Sequence, residues 1–383
     1  MLSKRLPEDL SDSPFFCKLS AVKKLRPYAD LTVCSPILTG IEPDLGSAAQ
    51  ATLPEWGTWK PSAAGRLPVR EAVARYYALR SADFNADEII LTAGTSEAYS
   101  ILFKTFCDAG DTILTPVPGY PLLDALAGLE YLHAYPYFLK RMGDHWALDA
   151  DSLESAPENS KILLLVSPHN PTGHCVSERE WNAAVDFCAR RGMALVVDEV
   201  FGDYVYDASL RRPASFDSKG VPVFFLNGLS KTVGSPELKL GWIAYHGGKN
   251  AERIREALEY VADAYLSVSS VAQEVAVPLL GSSLDYQRRV QTRLENNLKT
   301  LYATFPEGVE IPRVQGGWYA ALHFEGADDE ELTLRLLEKA QVLVQPGFFF
   351  DFDEDGWVVM SLLAEESVFN AGIVKIAEIT ARR

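Results

Sequence analysis

The sequence predicts an α/β protein, with a large domain built on a mostly parallel, seven-stranded sheet flanked by helices and a second, smaller α/β domain. Three observations predict it. Seven short apolar runs punctuate residues 89–245. Amphipathic segments at helical spacing separate several of them, the alternation expected of parallel strands joined by crossover helices. The rhythm then gives way to a mostly helical stretch, 250–304, and restarts with new strand-like and helical segments from Gly317 onward.

Taken in order, Ser13-Pro14-Phe15-Phe16 begins a helix, because a proline's fixed φ and missing N–H suit a first helical position. The rest of residues 1–44 reads as irregular, with extended or turn segments at Ser35-Pro36 and Glu42-Pro43-Asp44. The loop 53–61 is rich in Pro, Gly and Trp; its tryptophans suit an interface or pocket wall as well as local packing. Leu67, Val69, Val73, Tyr76 and Tyr77 recur near helical spacing and predict a helix. The seven apolar runs are 89–91, 112–114, 131–135, 162–166, 195–197, 223–226 and 242–245, with helices predicted over 97–107, 121–129 and 177–191. The C-terminal part continues with a strand over 317–324, a helix over 328–340, runs at 342–345 and 357–362, and a final helix.

Composition narrows the function. The chain has 383 residues, 48% hydrophobic and 23% charged, enough to bury a large core in two or three units. Its net charge of −16 argues against a nucleic-acid or anionic-membrane partner, which needs clustered positive charge, yet leaves room for one basic phosphate pocket. The five cysteines, Cys17, Cys34, Cys107, Cys175 and Cys188, are widely spaced and include no C-x-x-C pair. No disulfide framework or zinc site is implied, and a reducing cytoplasm suits them. The six histidines form no H-x-x-x-H pattern, so no metal site is expected. The first ten residues lack the apolar centre of a signal peptide, and no uncharged run reaches the roughly 18 residues of a membrane span.

In parallel α/β sheets ligands sit beyond the carboxyl ends of the strands. After Leu91 comes Thr92-Ala93-Gly94-Thr95-Ser96-Glu97-Ala98, a Gly-plus-hydroxyl turn opening a helix, which serves as an anion site or as an ordinary N-cap. After Leu114 two prolines place Tyr120 at a turn, where it can stack on a planar ring or simply pack. After Val166 comes Ser167-Pro168-His169-Asn170-Pro171-Thr172-Gly173, a turn offering an Asn amide; His169 reads as loop packing. Asp198 and Glu199 close the run 195–197, where a carboxylate needs a cation. Between the last two runs lie Ser230-Lys231 and, eight residues on, Lys239. Such lysines are either solvated or, when one amine is kept neutral, nucleophiles that form Schiff bases with aldehydes.

The ordered set Gly94-Thr95-Ser96-Glu97-Ala98, Pro118-Gly119-Tyr120, Asn170-Pro171-Thr172-Gly173, Asp198-Glu199, Ser230-Lys231 and Gly241-Trp242 resembles the class I/II aminotransferases, fold-type-I enzymes that use pyridoxal 5′-phosphate. The resemblance runs from about residue 30 to residue 375. It implies a transaminase that moves an amino group between an amino acid or other amine donor and a 2-oxo acid through a Lys231 Schiff base, with Lys231 also shuttling the proton. It implies that Asp198 pairs with the pyridine nitrogen, Asn170 donates to the phenolic oxygen and Tyr120 stacks on the ring. Gly94, Thr95, Ser96, Ser230 and Lys239 would hold the phosphate. It further implies a homodimer, a large cofactor-binding domain over 45–285, and a small domain from 1–44 and 286–383.

Several positions depart from the family pattern. Phe201 replaces a Tyr that donates to the phenolic oxygen, Gly228 a phosphate-binding Ser, and Lys239 an Arg. Trp59 falls near a Tyr that crosses the dimer to the phosphate. Val359 stands where an Arg clamps the substrate carboxylate, and Ser35 precedes Pro36 where an Asn is expected. Arg66 or Lys60 is the expected substitute cation. These departures keep open a different pyridoxal-phosphate reaction on the same scaffold: a β-eliminating lyase, a cyclase or decarboxylase, or an oxidase.

Overall fold

A computed structural model describes residues 3–7, 11–43, 46, 61–207, 209–305 and 309–381. Its strands are β1 (Ala29–Asp30), β2 (Ile89–Thr92), β3 (Thr112–Val117), β4 (His133–Met142), β5 (His145–Leu148), β6 (Ser160–Val166), β7 (Ala194–Asp198), β8 (Val223–Gly228), β9 (Gly241–His246), β10 (Tyr319–His323), β11 (Val342–Leu343), β12 (Gln345–Pro346) and β13 (Trp357–Ser361).

The large sheet has the order β2-β9-β8-β7-β6-β3-β4-β5. From β8 to β4 every neighbour is parallel; β9 runs antiparallel between β8 and β2. All seven expected strands are present, and β5 is an eighth, turning back from β4 as a hairpin. The run 131–135 proves to be only the start of β4, whose far end carries Lys140 and Arg141. A charged strand end of this kind leaves no apolar run to read.

The central strands are buried on both faces. Ile162, Leu164, Val196, Phe224 and Leu226 join the core on one side, and Leu163, Leu165, Val197, Val223 and Phe225 the core on the other. This is the period-2 alternation of a covered parallel sheet. Crossover helices cover it; Glu178–Arg191, for instance, starts with a reciprocal Ser177/Glu180 capping box and ends at left-handed Gly192.

A three-stranded antiparallel sheet, β10-β13-β12, and a two-stranded parallel pair, β1-β11, make up the rest. The single expected run 342–345 divides between them, since β11 and β12 belong to different sheets. The expected helix over 328–340 is an α-helix, Asp329–Arg335, continued by a π-turn over Leu336–Ala340. The β1-β11 pair places the N-terminal segment beside the C-terminal one. Among the described residues no helix is long and apolar enough to cross a membrane.

Candidate active site

Lys231 lies in a one-turn helix, Leu229–Thr232, directly after β8. Three bonds pin this turn. The Tyr204 hydroxyl donates to the Lys231 carbonyl at 2.6 Å, the Gln287 amide to the Thr232 carbonyl at 3.0 Å, and the Thr232 hydroxyl to Asn227 Oδ1 at 3.3 Å. The Lys231 side chain is half-buried. Its Nζ donates to the Cys34 carbonyl at 3.2 Å and sits 4.6 Å from the Trp318 ring centroid and 5.9 Å from that of Phe201. Burial pushes the amine below its ordinary pKa, opposed by the neighbouring Cys34 thiol when ionised. Lys231 therefore reaches the neutral, nucleophilic state at a lower pH than a solvated lysine.

Asp198 ends β7, one strand over, with Leu226 of β8 as its register partner. Burial raises its carboxyl above the usual range, while the Val200 N–H on Oδ1 at 3.0 Å and the Tyr99 hydroxyl on Oδ2 at 2.7 Å favour the anion. Glu199 faces a different set of groups. It is fully buried, accepts from the Ala214 N–H at 3.3 Å and lies 3.6 Å from Arg212.

Asn170 follows β6, and its Oδ1 is buried with no hydrogen-bond partner among the described residues. Its neighbour His169 is buried and bonded to the Thr172 hydroxyl at 2.9 Å. Burial, then His174, pushes the His169 imidazole down to about 3, so it is neutral and packs the loop as expected. His174 in turn lies 3.0 Å from Glu180.

The helix Thr95–Phe106 begins directly after β2, with Gly94 as N-cap at φ 111° and no side chain capping it. Glu97 turns its carboxylate back to the Ala93 N–H and the Ser267 hydroxyl, each at 2.6 Å. An uncapped helix start presents free N–H groups and the positive end of the helix dipole. Lys239 stands over this start; its Nζ is 3.9 Å from where a Cβ on Gly94 would lie. Ser230 is half-buried next to Lys231. The backbone leaves little room for a side chain at 228. A Cβ on Gly228 would stand 2.9 Å from both Gly241 Cα and the Leu240 carbonyl oxygen, and one on Gly241 would stand 2.9 Å from Gly94 Cα.

Tyr120 is 49% exposed at the turn after β3, and the adjacent Gly119 N–H donates to the Phe350 carbonyl at 2.8 Å. That bond makes the loop Gly347–Phe350 the rim next to Tyr120. Phe348 and Phe349 of the same loop also pack on Phe15. Val359 lies fully buried in β13, opposite Ala321 and Gln345. Arg66 does not offer a free cation, because its guanidinium pairs with Glu274. Trp59 and Lys60 lie outside the described residues.

Four neighbours of the expected residues carried no signal in the sequence that set them apart: Tyr99 on Asp198, and Cys34, Trp318 and Tyr204 around Lys231. Tyr99 reads as one more apolar position of a helix, and Cys34 contributes a backbone carbonyl, which has no residue signature. The Gly316-Gly317 pair before Trp318, where backbones approach closely, was the available cue.

The donor set fits pyridoxal 5′-phosphate. A lysine amine of lowered pKa suits its aldehyde, a carboxylate with a donor on each oxygen its ring nitrogen, and the side-chain amide N–H of Asn170 its phenolic oxygen. The uncapped helix start beneath Lys239 suits its phosphate.

The family model described as aminotransferase class I and II matches residues 61–370. Mouse tyrosine aminotransferase is 27% identical over 380 residues, an alignment covering 93% of this chain and 83% of the mouse protein. A probable N-acetyl-LL-diaminopimelate aminotransferase of Bacillus subtilis is 26% identical over 337 residues, covering 86% and 84% of the two chains. Among solved structures, an alanine aminotransferase from Pyrococcus furiosus superposes with a TM-score of 0.90 at 21% identity over 100% of both chains. An aspartate aminotransferase double mutant from Thermus thermophilus gives 0.84 at 21% identity over 99% of both. These two share the fold. With the family model spanning most of its length, the chain belongs to the class I and II aminotransferases, enzymes dependent on pyridoxal 5′-phosphate.

Proposed function

We propose that Lys231 and Asp198 carry the transamination, moving an amino group between an amino acid or other amine donor and a 2-oxo acid in a cytoplasmic homodimer. The observation that carries this reading is the half-buried Lys231 amine of lowered pKa, at the end of the strand next to the one that Asp198 closes. When bound, pyridoxal 5′-phosphate supplies the aldehyde that captures the donor amine and the ring that accepts the electron pair freed at the donor's α-carbon. Lys231 Nζ takes up that proton and returns it. Its turn is pinned at the Lys231 and Thr232 carbonyls, which fixes the point from which the side chain reaches into the site. Asp198, an anion, keeps a proton on the ring nitrogen. Asn170 orients the phenolic oxygen and Tyr120 covers a ring face. Gly94, Thr95, Ser96, Ser230 and Lys239 hold the phosphate, and Trp318 and Phe201 keep water from the amine.

The domain division follows the same reading: 45–285 as the large cofactor domain, 1–44 and 286–383 as the small one, a pairing supported by the β1-β11 contact. Val359, buried in β13, supplies no cation for the substrate carboxylate, which leaves Arg66, paired here with Glu274, and Lys60 as the candidates. The decisive experiment is a half-reaction screen. Addition of an amine donor should convert the bound cofactor's visible band to that of the pyridoxamine form, and a 2-oxo acid should restore it. A protein with a cofactor band that no donor converts reversibly would instead be one of the non-transaminating pyridoxal-phosphate enzymes, and one without a band would defeat the reading. Sedimentation velocity tests the dimer.

A further inference from the structure

We infer that Tyr99 is a positioning residue for the cofactor: its phenol holds the Asp198 carboxylate as an anion, in one orientation, at the ring end of the site. The inference rests on Asp198 being the partner of the ring nitrogen.

Tyr99 is only 3% exposed, so its hydroxyl must find a partner inside the protein. It donates to Asp198 Oδ2 at 2.7 Å. The Val200 N–H takes Oδ1. Each carboxylate oxygen thus has one protein donor and keeps acceptor capacity for another, which a protonated ring nitrogen would use. Burial by itself favours the neutral acid, which could not hold a proton on the ring. The two bonds oppose that, and among the described residues Tyr99 supplies the only one from a side chain. The phenol is itself held protonated by burial and by the charge of Asp198, so it remains a donor. Among the described residues, Tyr137 of β4 is the other titratable group near Tyr99, and Glu199, next to Asp198 in the chain, is turned to Arg212 and Ala214 but lies close enough for the two charges to act on each other.

Tyr99 also ties this contact to the phosphate end. It lies on the helix Thr95–Phe106, four residues or about 6 Å beyond the start that faces the phosphate. That helix is locked into the core by Ile101, Leu102 and Phe103. One rigid element therefore sets both the phosphate contact and the orientation of Asp198.

A residue that merely fills space would be replaced by phenylalanine without consequence, since the ring packs near Phe103 at 6.0 Å in either case. The test compares wild type, Tyr99→Phe, Asp198→Asn and the double variant. Affinity for pyridoxal 5′-phosphate is measured by titration of the apoprotein, kcat/KM is followed against pH, and apoprotein melting checks the fold. Tyr99→Phe should weaken cofactor binding about tenfold or more and move the acid limb of the pH profile up by about one unit. In the Asp198→Asn background the same change should alter affinity by no more than about twofold, because the charge it acts on is gone. Equal losses in both backgrounds, or an unmoved acid limb with unchanged affinity, would assign Tyr99 to packing and overturn the inference. A wild-type chain that takes up no pyridoxal 5′-phosphate would overturn the parent reading as well, and so is distinguishable from failure of Tyr99 alone.

Discussion

In the candidate site, the wall that carries Asp198, Asn170 and the Gly94 turn comes from the carboxyl ends of strands of one sheet, whereas the wall around the Lys231 amine is assembled from Cys34, Phe201 and Trp318, two of them far outside the large sheet in the chain. On the first wall, position is dictated by register: Val166 pairs with Asp198, and Asp198 with Leu226, through strands whose interiors are fully buried. On the second, position depends on how the N-terminal segment and the β10 sheet pack against Lys231. The contrast separates groups placed by strand register from groups placed by the packing of segments distant in the chain.

The sharpest way to break the contrast is Lys231→Ala. It should abolish the visible cofactor band and lower transamination by at least about 10⁴-fold, measured by half-reaction spectroscopy. Retention of the band would move the nucleophile elsewhere. Gly228→Ser, which restores the hydroxyl that the family pattern expects, should destabilise the protein by about 3 kcal/mol, because the atoms in its way are backbone. An unchanged melting temperature with tighter phosphate binding would show that the cup can open.

Acid should loosen the register-built wall first. His169 is neutral in the fold, pushed down to about 3, against about 6.5 when unfolded, so the unfolded chain binds the extra proton between those values. Its contribution to stability is complete above about pH 6.5, is lost as pH falls towards 3, and amounts to about 2 kcal/mol lost by pH 5. Glu180 adds to this at lower pH. Burial acts to raise its carboxyl, but bonds from His174, Ser177 and Leu148 hold it at about 2. Denaturant melts at pH 7 and 5 should show the loss, and His169→Gln should flatten it. The smallest effect belongs to Arg66→Ala. Its exposed pair with Glu274 is worth under about 1 kcal/mol, and the donor KM should change by less than about twofold. A tenfold rise would put Arg66 on the substrate.

The strand-built wall was legible because its functional groups interrupt apolar runs. Asp198 after Val197, Asn170 after Val166 and Lys231 after Leu226 and Leu229 are polar residues where burial alone would favour apolar ones. The alternation of runs and helices gave the sheet for the same reason, while β5 escaped notice because an amphipathic edge strand has no apolar run. Backbone groups explain most of what stayed hidden. The Cys34 carbonyl and the pinned Lys231 carbonyl act through atoms common to all residues. Tyr99 was hidden by its surroundings, since a phenol on an apolar helix face reads as core until its hydroxyl is seen on Asp198. The family comparison marked Gly228 as a lost contact, and only the packing reveals why no side chain fits there.

That corner has a consequence for substitution. Gly94, Gly228 and Gly241 come from three different segments, yet each of the last two is kept bare by the backbone of another segment. A mutation that adds a methyl group at one meets main chain rather than a side chain that could shrink in turn, so no second substitution at the contact relieves it. A side chain at either position therefore requires the segments themselves to move apart.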